Sequence, residues 1–291
     1  MYKLIIILIL SFSAYAGDSG DEIIKKNLGK LNNFTADTIS QFFNGPGTTE
    51  VEVRGIENKK PEFSILLVRP FVVSEDHSFF SQMQLNHYYI RNDGRVAVNL
   101  GLGYRKVFNN NYILGINAFL DADDEDNTRS SFGLEIKSNA FEAYANYYSS
   151  ISSSTKVGTN TERVLDGYDI HALGQVPFLP WAKIHYTYFD WEADKLSTDT
   201  DGSELSLEML ITKNIMLEVG YSDNNFTSED GFGSITFVYP GSNGTSAFDE
   251  FISEVAFASG AVNHLLLSKV ERDNKMKIET ESEGVIIGRL D

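Results

Sequence analysis

Short runs in which apolar and polar residues alternate recur over residues 49–240, and they constrain the fold more than any other feature of the chain. The clearest run, VAVNLGLGYR, extends from Val96 to Arg105: alternate positions carry large apolar side chains, and the positions between them carry Ala, Asn, Gly and Arg. Successive side chains of a β-strand point to opposite faces, so each run predicts a strand with one apolar face and one polar or small face. We therefore expect an all-β fold.

Twelve runs of this kind are predicted to be strands, with boundaries uncertain by about 2–4 residues. They cover residues 49–56, 62–70, 79–90, 95–106, 111–120, 129–138, 141–149, 167–176, 181–190, 203–211, 215–222 and 232–239. Residues 109–110, 139–140, 177–180 and 212–214 form tight turns, and residues 121–128, 150–166, 191–202 and 223–231 form long loops. An even strand number with short turns at one end and long loops at the other is typical of a 12-stranded antiparallel transmembrane β-barrel of the outer membrane.

A soluble, secreted β-sandwich would show the same alternation and is the alternative to a barrel. Two features favour the barrel. The polar faces carry Glu, Asn, Arg and Gly, which suit a wet lumen better than a dry core between sheets. Aromatic residues also cluster at strand ends, where the interfacial girdles of a barrel would lie: Tyr88-Tyr89, Tyr147-Tyr148, Tyr186 to Phe189 with Trp191, and Phe237 with Tyr239.

The first 16 residues read as a secretory signal peptide. Lys3 precedes a short apolar run, and Ala14-Tyr15-Ala16 provides a cleavage site after Ala16. The apolar run is shorter than the roughly 20 residues that a spanning helix needs. The predicted organisation is a signal peptide over residues 1–16, a periplasmic N-terminal segment over 17–48, the barrel over 49–240, and a linker helix with a short tail over 241–291. For residues 18–44, an amphipathic helix and a disordered leader remain equally open.

Charge and cysteine content exclude several classes of function. The 41 acidic and 24 basic side chains give a net charge of −17, which argues against a nucleic-acid partner. The chain contains no cysteine. Disulfide scaffolds, thiolate metal sites and cysteine nucleophiles are therefore excluded.

No candidate motif predicts a catalytic, cofactor-binding or metal-binding residue, and we expect the protein not to be an enzyme. The acidic run at residues 121–127 resembles a Ca²⁺ loop, but Asp126 occupies the position that needs Gly and no Glu follows at the twelfth position, so a solvated extracellular loop is expected. The five histidines lack helical zinc spacing: His77, His87, His171, His185 and His264. The serines at residues 149–154 predict a flexible loop, and Gly101, Gly103 and Gly133 predict close packing on the lumen side.

Several motifs appear in a consistent order along the barrel region. They are NLGLGYR at residues 99–105, LGINAFLD at 114–121, NTR at 127–129, FGLE at 132–135, and DGYDI at 166–170 ahead of a Pro-x-x-Pro turn at 177–180. On these residues, the chain from Phe34 to Tyr239 resembles the translocator barrel of the inverse autotransporters, the intimin/invasin family. The resemblance implies a twelve-stranded outer-membrane barrel with a periplasmic N-terminus, whose C-terminal linker returns through the pore and exposes a passenger outside the cell.

The segment after Pro240 departs from that family pattern. Its 51 residues are fewer than the roughly 100 of an immunoglobulin-like passenger domain, so we expect the usual passenger to be lacking. An amphipathic helix is predicted over residues 248–270, with Phe251, Val255, Ala258, Val262, Leu265 and Leu266 on one stripe. Residues 267–274 resemble the family's linker, which implies that they occupy the lumen. We expect the helix to lodge in the lumen as well, and packing on the periplasmic rim is the alternative.

Three functions are compatible with these patterns. The first is a translocator or display scaffold for the chain's own C-terminal segment, related to adhesins through the resemblance. The second is a passive pore, and the third is a protein that binds a surface ligand through its long loops. The expected partners are outer-membrane lipids, the barrel-assembly machinery and periplasmic chaperones, whereas the surface ligand is unknown.

Overall fold

Twelve antiparallel strands close into one barrel in the computed structural model, which describes residues 45–57, 59–90, 93–226, 230–282 and 285–288. The strands are β1 (Thr48–Ile56), β2 (Glu62–Val73), β3 (His77–Ile90), β4 (Asp93–Phe108), β5 (Tyr112–Asp123), β6 (Thr128–Lys137), β7 (Phe141–Ser150), β8 (Thr155–Val157), β9 (Asn160–Val164), β10 (Gly167–Val176), β11 (Leu179–Trp191), β12 (Thr200–Thr212), β13 (Ile215–Asn224), β14 (Asp230–Tyr239), β15 (Ile278–Ser282) and β16 (Val285–Gly288). All except β8, β9, β15 and β16 belong to the barrel, so the predicted fold class is confirmed. The predicted signal peptide and the segment at residues 17–44 lie outside the described residues.

The barrel closes where β1 pairs with β14, in a register that sets Thr49 opposite Tyr239. Closure leaves no unpaired strand edge, which a β-structure in lipid requires because hydrocarbon cannot satisfy free N–H and C=O groups. At one end of the barrel the connections are turns of two or three residues. They join β2 to β3, β4 to β5, β6 to β7, β10 to β11 and β12 to β13. We call this end the short-turn end. It is the periplasmic end in outer-membrane barrels.

The two faces of each strand match the predicted alternation. On β4, Leu100 and Leu102 are 48% and 51% exposed on the outside, whereas Asn99 and Arg105 are fully buried inside. A soluble protein would bury the apolar set. The reversed arrangement fits a barrel whose outer surface meets lipid and whose polar residues meet in the lumen.

The predicted aromatic girdles are only half correct. Tyr147 and Tyr186 are exposed on the outer face. Tyr148, Tyr88 and Trp191, which belong to the same predicted clusters, are buried in the lumen. Because successive side chains of a strand point to opposite faces, two adjacent tyrosines cannot both face lipid. An aromatic cluster at a strand end therefore contributes only about half of its side chains to the girdle on the outer face.

The long loop predicted at residues 150–166 contains a hairpin, β8–β9, that the sequence analysis missed. Together with the C-terminal strands it forms a second sheet in the order β16-β15-β9-β8 at the long-loop end. The strands of the hairpin are only three and five residues long. Runs this short carry too few alternations to predict a strand.

The predicted helix over residues 248–270 is wrong. The described residues there form turns and extended chain, with one 3₁₀ turn at Asn263–Leu265. Over residues 253–262 the main chain bonds the short turns of the barrel and not its own preceding turn: Phe178 N donates to Ala256 O, Ser253 N to Phe178 O, and Val262 N to Asn110 O. None of the helices in the described ranges is long and apolar enough to cross a membrane.

Candidate functional site

The chain that follows β14 runs around the short-turn mouth of the barrel before it enters the lumen. We call residues 241–264 the rim strap. The rim strap contacts the short turns in reverse chain order: Ser242 N donates to Lys213 O, Phe178 N to Ala256 O, Asn139 Nδ2 to Gly260 O, Val262 N to Asn110 O, and Asn263 Nδ2 to Glu75 O. The strap thus visits all five turns and ends beside β3.

Local hydrogen bonds fix the first part of the rim strap. Asp249 accepts from the Ser246 hydroxyl at 2.7 Å and from the Ser246 N–H at 2.9 Å, and it pairs with Lys213 at 3.0 Å. These bonds, led by that from the Ser246 hydroxyl, lower the pKa of the Asp249 carboxyl to about 2. Phe251 stacks on Trp181 with ring centroids 5.5 Å apart.

Residues 265–277 cross the lumen, and we call them the lumen linker. They begin with a turn that ends at residue 268 and continue as extended chain. The lumen linker runs alongside β3 in a constant register: the hydrogen bonds between the two join residues that are 188 positions apart in the sequence. The contacts are Ser78 Oγ to Leu266 O (2.9 Å), Gln82 Nε2 to Val270 O (3.3 Å), Asn86 Nδ2 to Asn274 O (3.4 Å) and Met276 N to Tyr88 Oη (3.4 Å). The linker predicted in the lumen is therefore present there as extended chain.

The other side of the lumen linker is held by β6 and β7. Lys137 donates to Lys269 O at 2.9 Å, Asn146 to Glu271 O at 3.0 Å, and Arg129 to Asp273 O at 2.8 Å. Carbonyls of an extended chain alternate in direction. From residue 270 onward the even-numbered carbonyls of Val270 and Asn274 accordingly face β3 and β4, and the odd-numbered ones at 271, 273 and 275 face β6 and β7. Before that point the alternation does not hold, because Leu267 O accepts from Thr48 of β1.

Arg105 on β4 binds both the barrel and the linker. Its guanidinium donates to the two carboxylate oxygens of Glu135 at 2.5 and 3.0 Å. It also donates to three linker carbonyls, Leu266 O at 3.1 Å, Ser268 O at 2.6 Å and Lys269 O at 3.3 Å. Both members of the ion pair are buried, so the pair is strong only because every donor and acceptor is used.

Two of the five acidic residues in the run predicted as a solvated loop, Asp121 and Asp123, point into the lumen. Asp121 accepts two bonds from Arg272 of the linker, at 3.1 and 2.7 Å, and one from Arg129 at 2.9 Å. Asp123 pairs with Arg95 at 2.7 Å. The expectation of a solvated loop fails for these two residues because β5 extends to Asp123 and directs both side chains inward.

Apolar contacts seal the linker at the short-turn end. Val262 and Leu266 are buried against Val107 and Ile113, and Val270 packs in a cluster with Phe80 and other lumen-facing side chains. The predicted helical stripe is thereby divided, since Phe251 and Val255 remain exposed on the rim strap. This seal narrows the passage where the chain enters the barrel.

A cavity of about 290 Å³ remains beside the linker, lined mainly by β1, β2 and β11 to β14. Ten carboxylates and six Lys and Arg side chains contribute to its wall. The carboxylates include Glu50, Glu204, Glu208 and Glu218 on the barrel, and Lys269 of the linker faces this side. The linker therefore fills only part of the lumen.

The histidines and serines considered from the sequence do not assemble a reactive site. His171 and His185 meet in the cavity wall with Nδ1 and Nε2 3.1 Å apart. His77 is the first residue of β3, His87 lies further along the same strand, and His264 lies in the 3₁₀ turn. Across the part of the chain that the structure describes, no three His, Asp or Glu side chains converge as a metal site requires. The Ser150 N–H donates to Asp166 at 2.6 Å, which fixes the end of β7.

The residues that hold the linker were predicted only in part. Parity along the strands placed Asn99, Arg105, Glu135 and Lys137 on the lumen side, where the structure finds them. Their binding partners could not be inferred from local pattern, because the linker carbonyls lie more than 100 residues away. The available signal for the linker contact was Arg105 itself, a charged residue near the end of β4 on the same face as Gly101 and Gly103.

Comparison with known proteins gives one family match. The family described as inverse autotransporter, beta-domain, matches residues 14–274. A curated protein of Escherichia coli (strain K12), named as an attaching and effacing protein homolog, is 27% identical over 163 residues, which are 54% of each chain. The chain thus spans about half the length of that relative.

Solved structures show similarity of fold. A membrane-protein structure from work on the mechanism of in-meso crystallization matches with a TM-score of 0.67 at 24% identity, over 81% of this chain and 99% of that chain. The KdgM porin matches with a TM-score of 0.45 at 10% identity, over 65% of this chain and 98% of that chain. The second value is too low to bear on function.

Proposed function

Because the chain belongs to the inverse autotransporter β-domain family, we propose that this outer-membrane barrel translocates its own C-terminal segment and displays it at the cell surface. The observation that carries the proposal is the lumen linker. It crosses the barrel from the short-turn end to the long-loop end as extended chain, and lumen side chains satisfy its carbonyls. A chain left in the pore after export would occupy this position.

The way the linker is held supports transport more than passive plugging. Barrel side chains donate to main-chain carbonyls at residues 266, 268, 269, 270, 271, 273, 274 and 275. Main-chain groups are the same at every position, so such contacts can hold chains of different sequence. A dedicated plug has no need of contacts that disregard sequence.

The partners follow from the location in the outer membrane. We propose that barrel-assembly machinery and periplasmic chaperones deliver the barrel, that outer-membrane lipids surround it, and that no catalytic step is involved. The relative's name associates that protein with attachment. Display of an attachment segment is the corresponding proposal for this chain.

Surface labelling tests the proposal, since the absence of cysteine makes each single-cysteine variant uniquely reactive. Ser282→Cys lies in β15 beyond the lumen, and Ser242→Cys lies on the rim strap. On intact cells, a membrane-impermeant maleimide should label Ser282→Cys and leave Ser242→Cys unlabelled until the outer membrane is opened. Labelling of Ser242→Cys alone would reverse the orientation and contradict display.

The cavity beside the linker supports a second candidate, a passive pore for small solutes. Single-channel recording separates the two functions. A display barrel should conduct weakly as the full chain and strongly when it ends at Pro240. An equally open full-length pore, without surface labelling at Ser282→Cys, would favour the channel.

A further inference from the structure

The hairpin β8–β9 is attached rigidly to the barrel wall. Glu162 of β9 accepts from both terminal nitrogens of Arg95 at 2.9 Å, and it also accepts from Asn127 at 2.8 Å. Arg95 in turn pairs with Asp123. A two-point Arg–carboxylate contact fixes orientation as well as distance. The hairpin therefore stands at a defined place above the lumen.

The chain that leaves the lumen adds to this hairpin as a new strand. β15 pairs antiparallel with β9, in a register that sets Ile278 opposite Val164 and Ser282 opposite Asn160. Below the strand pair, Leu165 N donates to Lys277 O at 2.9 Å. Ile278 and Met276 pack with Val164 and Tyr88 in one buried cluster. Strand addition supplies main-chain affinity, and pockets for alternate side chains supply selectivity.

The loop between β11 and β12 binds one side chain of β15, that of Glu279. The carboxylate of Glu279 accepts from three consecutive backbone N–H groups between β11 and β12: Asp194 at 3.1 Å, Lys195 at 2.9 and 3.1 Å, and Leu196 at 3.2 Å. Glu279 is only 1% exposed. Successive N–H groups that point into one concavity form a nest for an anion. The nest presents backbone N–H donors, and no acceptor, to the Glu279 carboxylate.

One arginine joins the hairpin to that loop. Arg163 of β9 pairs with Asp194 at 3.0 Å and with Glu281 at 3.1 Å. The hairpin and the β11–β12 loop thus enclose β15 from two sides. This arrangement lies outside the lumen and adds contacts that the barrel wall does not provide.

We propose that hairpin β8–β9 and the backbone nest at residues 194–196 form a strand-docking site that arrests the exported chain. Its ligand is an extended segment with a carboxylate at the position of Glu279. Docking stops the chain from sliding back into the lumen and selects which residues come to rest there. The inference rests on the proposed function, because it treats β15 as exported chain.

Disulfide formation measures docking directly. Ser282 and Asn160 are directly opposed, and such pairs lie within the range of Cα separations that a disulfide accepts. The pair Asn160→Cys with Ser282→Cys should therefore crosslink on mild oxidation. Adding Glu279→Gln should slow crosslinking about tenfold or more, since hydrogen bonds to a charged group are lost and the new amide NH₂ faces N–H donors. Heat-modifiable gel mobility confirms that each variant still contains a folded barrel.

The matched control is Glu254→Gln, which makes the same change at an exposed position of the rim strap, away from β15, the hairpin and the nest. It should crosslink nearly as fast as the parent pair. Lys195→Pro, which removes one donor and leaves Glu279 intact, should slow crosslinking as Glu279→Gln does. Unchanged crosslinking in Glu279→Gln, or equal slowing in both Glu variants, would overturn the docking site. Failure of the proposed function shows separately, as loss of surface labelling at Ser282→Cys.

Discussion

At the scale of single residues, the Arg105–Glu135 pair joins barrel stability to linker retention. Arg105→Met removes both hydrogen bonds to the buried Glu135, whose remaining counter-charge is Lys137 at 3.8 Å, and it removes one donor from each of three linker carbonyls. Breaking a buried ion pair from one side costs about 3–5 kcal/mol. We expect a drop of that order in the free energy of unfolding, measured by denaturant titration in lipid vesicles.

The double variant Arg105→Met with Glu135→Met provides the control. Removing both charges avoids the uncompensated carboxylate, so part of the lost stability should return. The return should be incomplete because the linker carbonyls remain without Arg105. A double variant less stable than Arg105→Met alone would contradict this account of the pair.

The face of each strand determines what an added charge does. Leu102→Arg places a cation on the lipid side and should cost about 2–4 kcal/mol if the residue lies at the midplane. Ser64→Arg faces the cavity beside Glu52 and should cost much less. Asn99 is unsuitable as a lumen control, because it is buried and bonds both Asp121 and the linker. Equal losses of stability on both faces would invalidate the assignment.

At the scale of elements, Gly260 distinguishes the rim strap from the predicted helix. Gly260 has φ of +113°, and no atom lies within 4 Å of the position that a Cβ would occupy. In a helix, Gly260→Ala would stabilise the chain by nearly 1 kcal/mol. In the rim strap it should destabilise the segment by about 1–3 kcal/mol through backbone strain alone. Hydrogen exchange of residues 256–266 should accelerate, whereas slower exchange would support a helix.

The elements also show what the sequence could predict. Alternation over five or more residues predicted all twelve barrel strands, because lipid outside and polar groups inside impose the same parity on every strand. The stripe containing Phe251, Val255 and Val262 has helical spacing, yet the first two residues are exposed and Val262 is buried. Contacts with the barrel turns override local helix preference there. Glu279 carried no local signal at all, because its partners are backbone N–H groups.

At the scale of the whole molecule, the unfilled part of the lumen should conduct selectively. Ten carboxylates against six Lys and Arg side chains line the cavity, so the local field attracts cations. In a KCl gradient, the reversal potential of the full chain should indicate a preference for K⁺ over Cl⁻. The preference should weaken with added salt as screening increases. Anion preference in the full chain would contradict the role of the lining charges.

The constant register between β3 and the linker means that the hydrogen bonds between them can be restored only after certain displacements of the linker along the barrel axis. A shift by one residue turns the carbonyls of the extended residues 270–275 toward the opposite wall, so the donors of β3 and β4 that bond Val270 O and Asn274 O would face N–H groups or empty space. A shift by two residues restores the match at the next pair of carbonyls. If the barrel exports its chain as proposed, the linker would regain its hydrogen bonds after each advance of two residues, about 6.6 Å of extended chain.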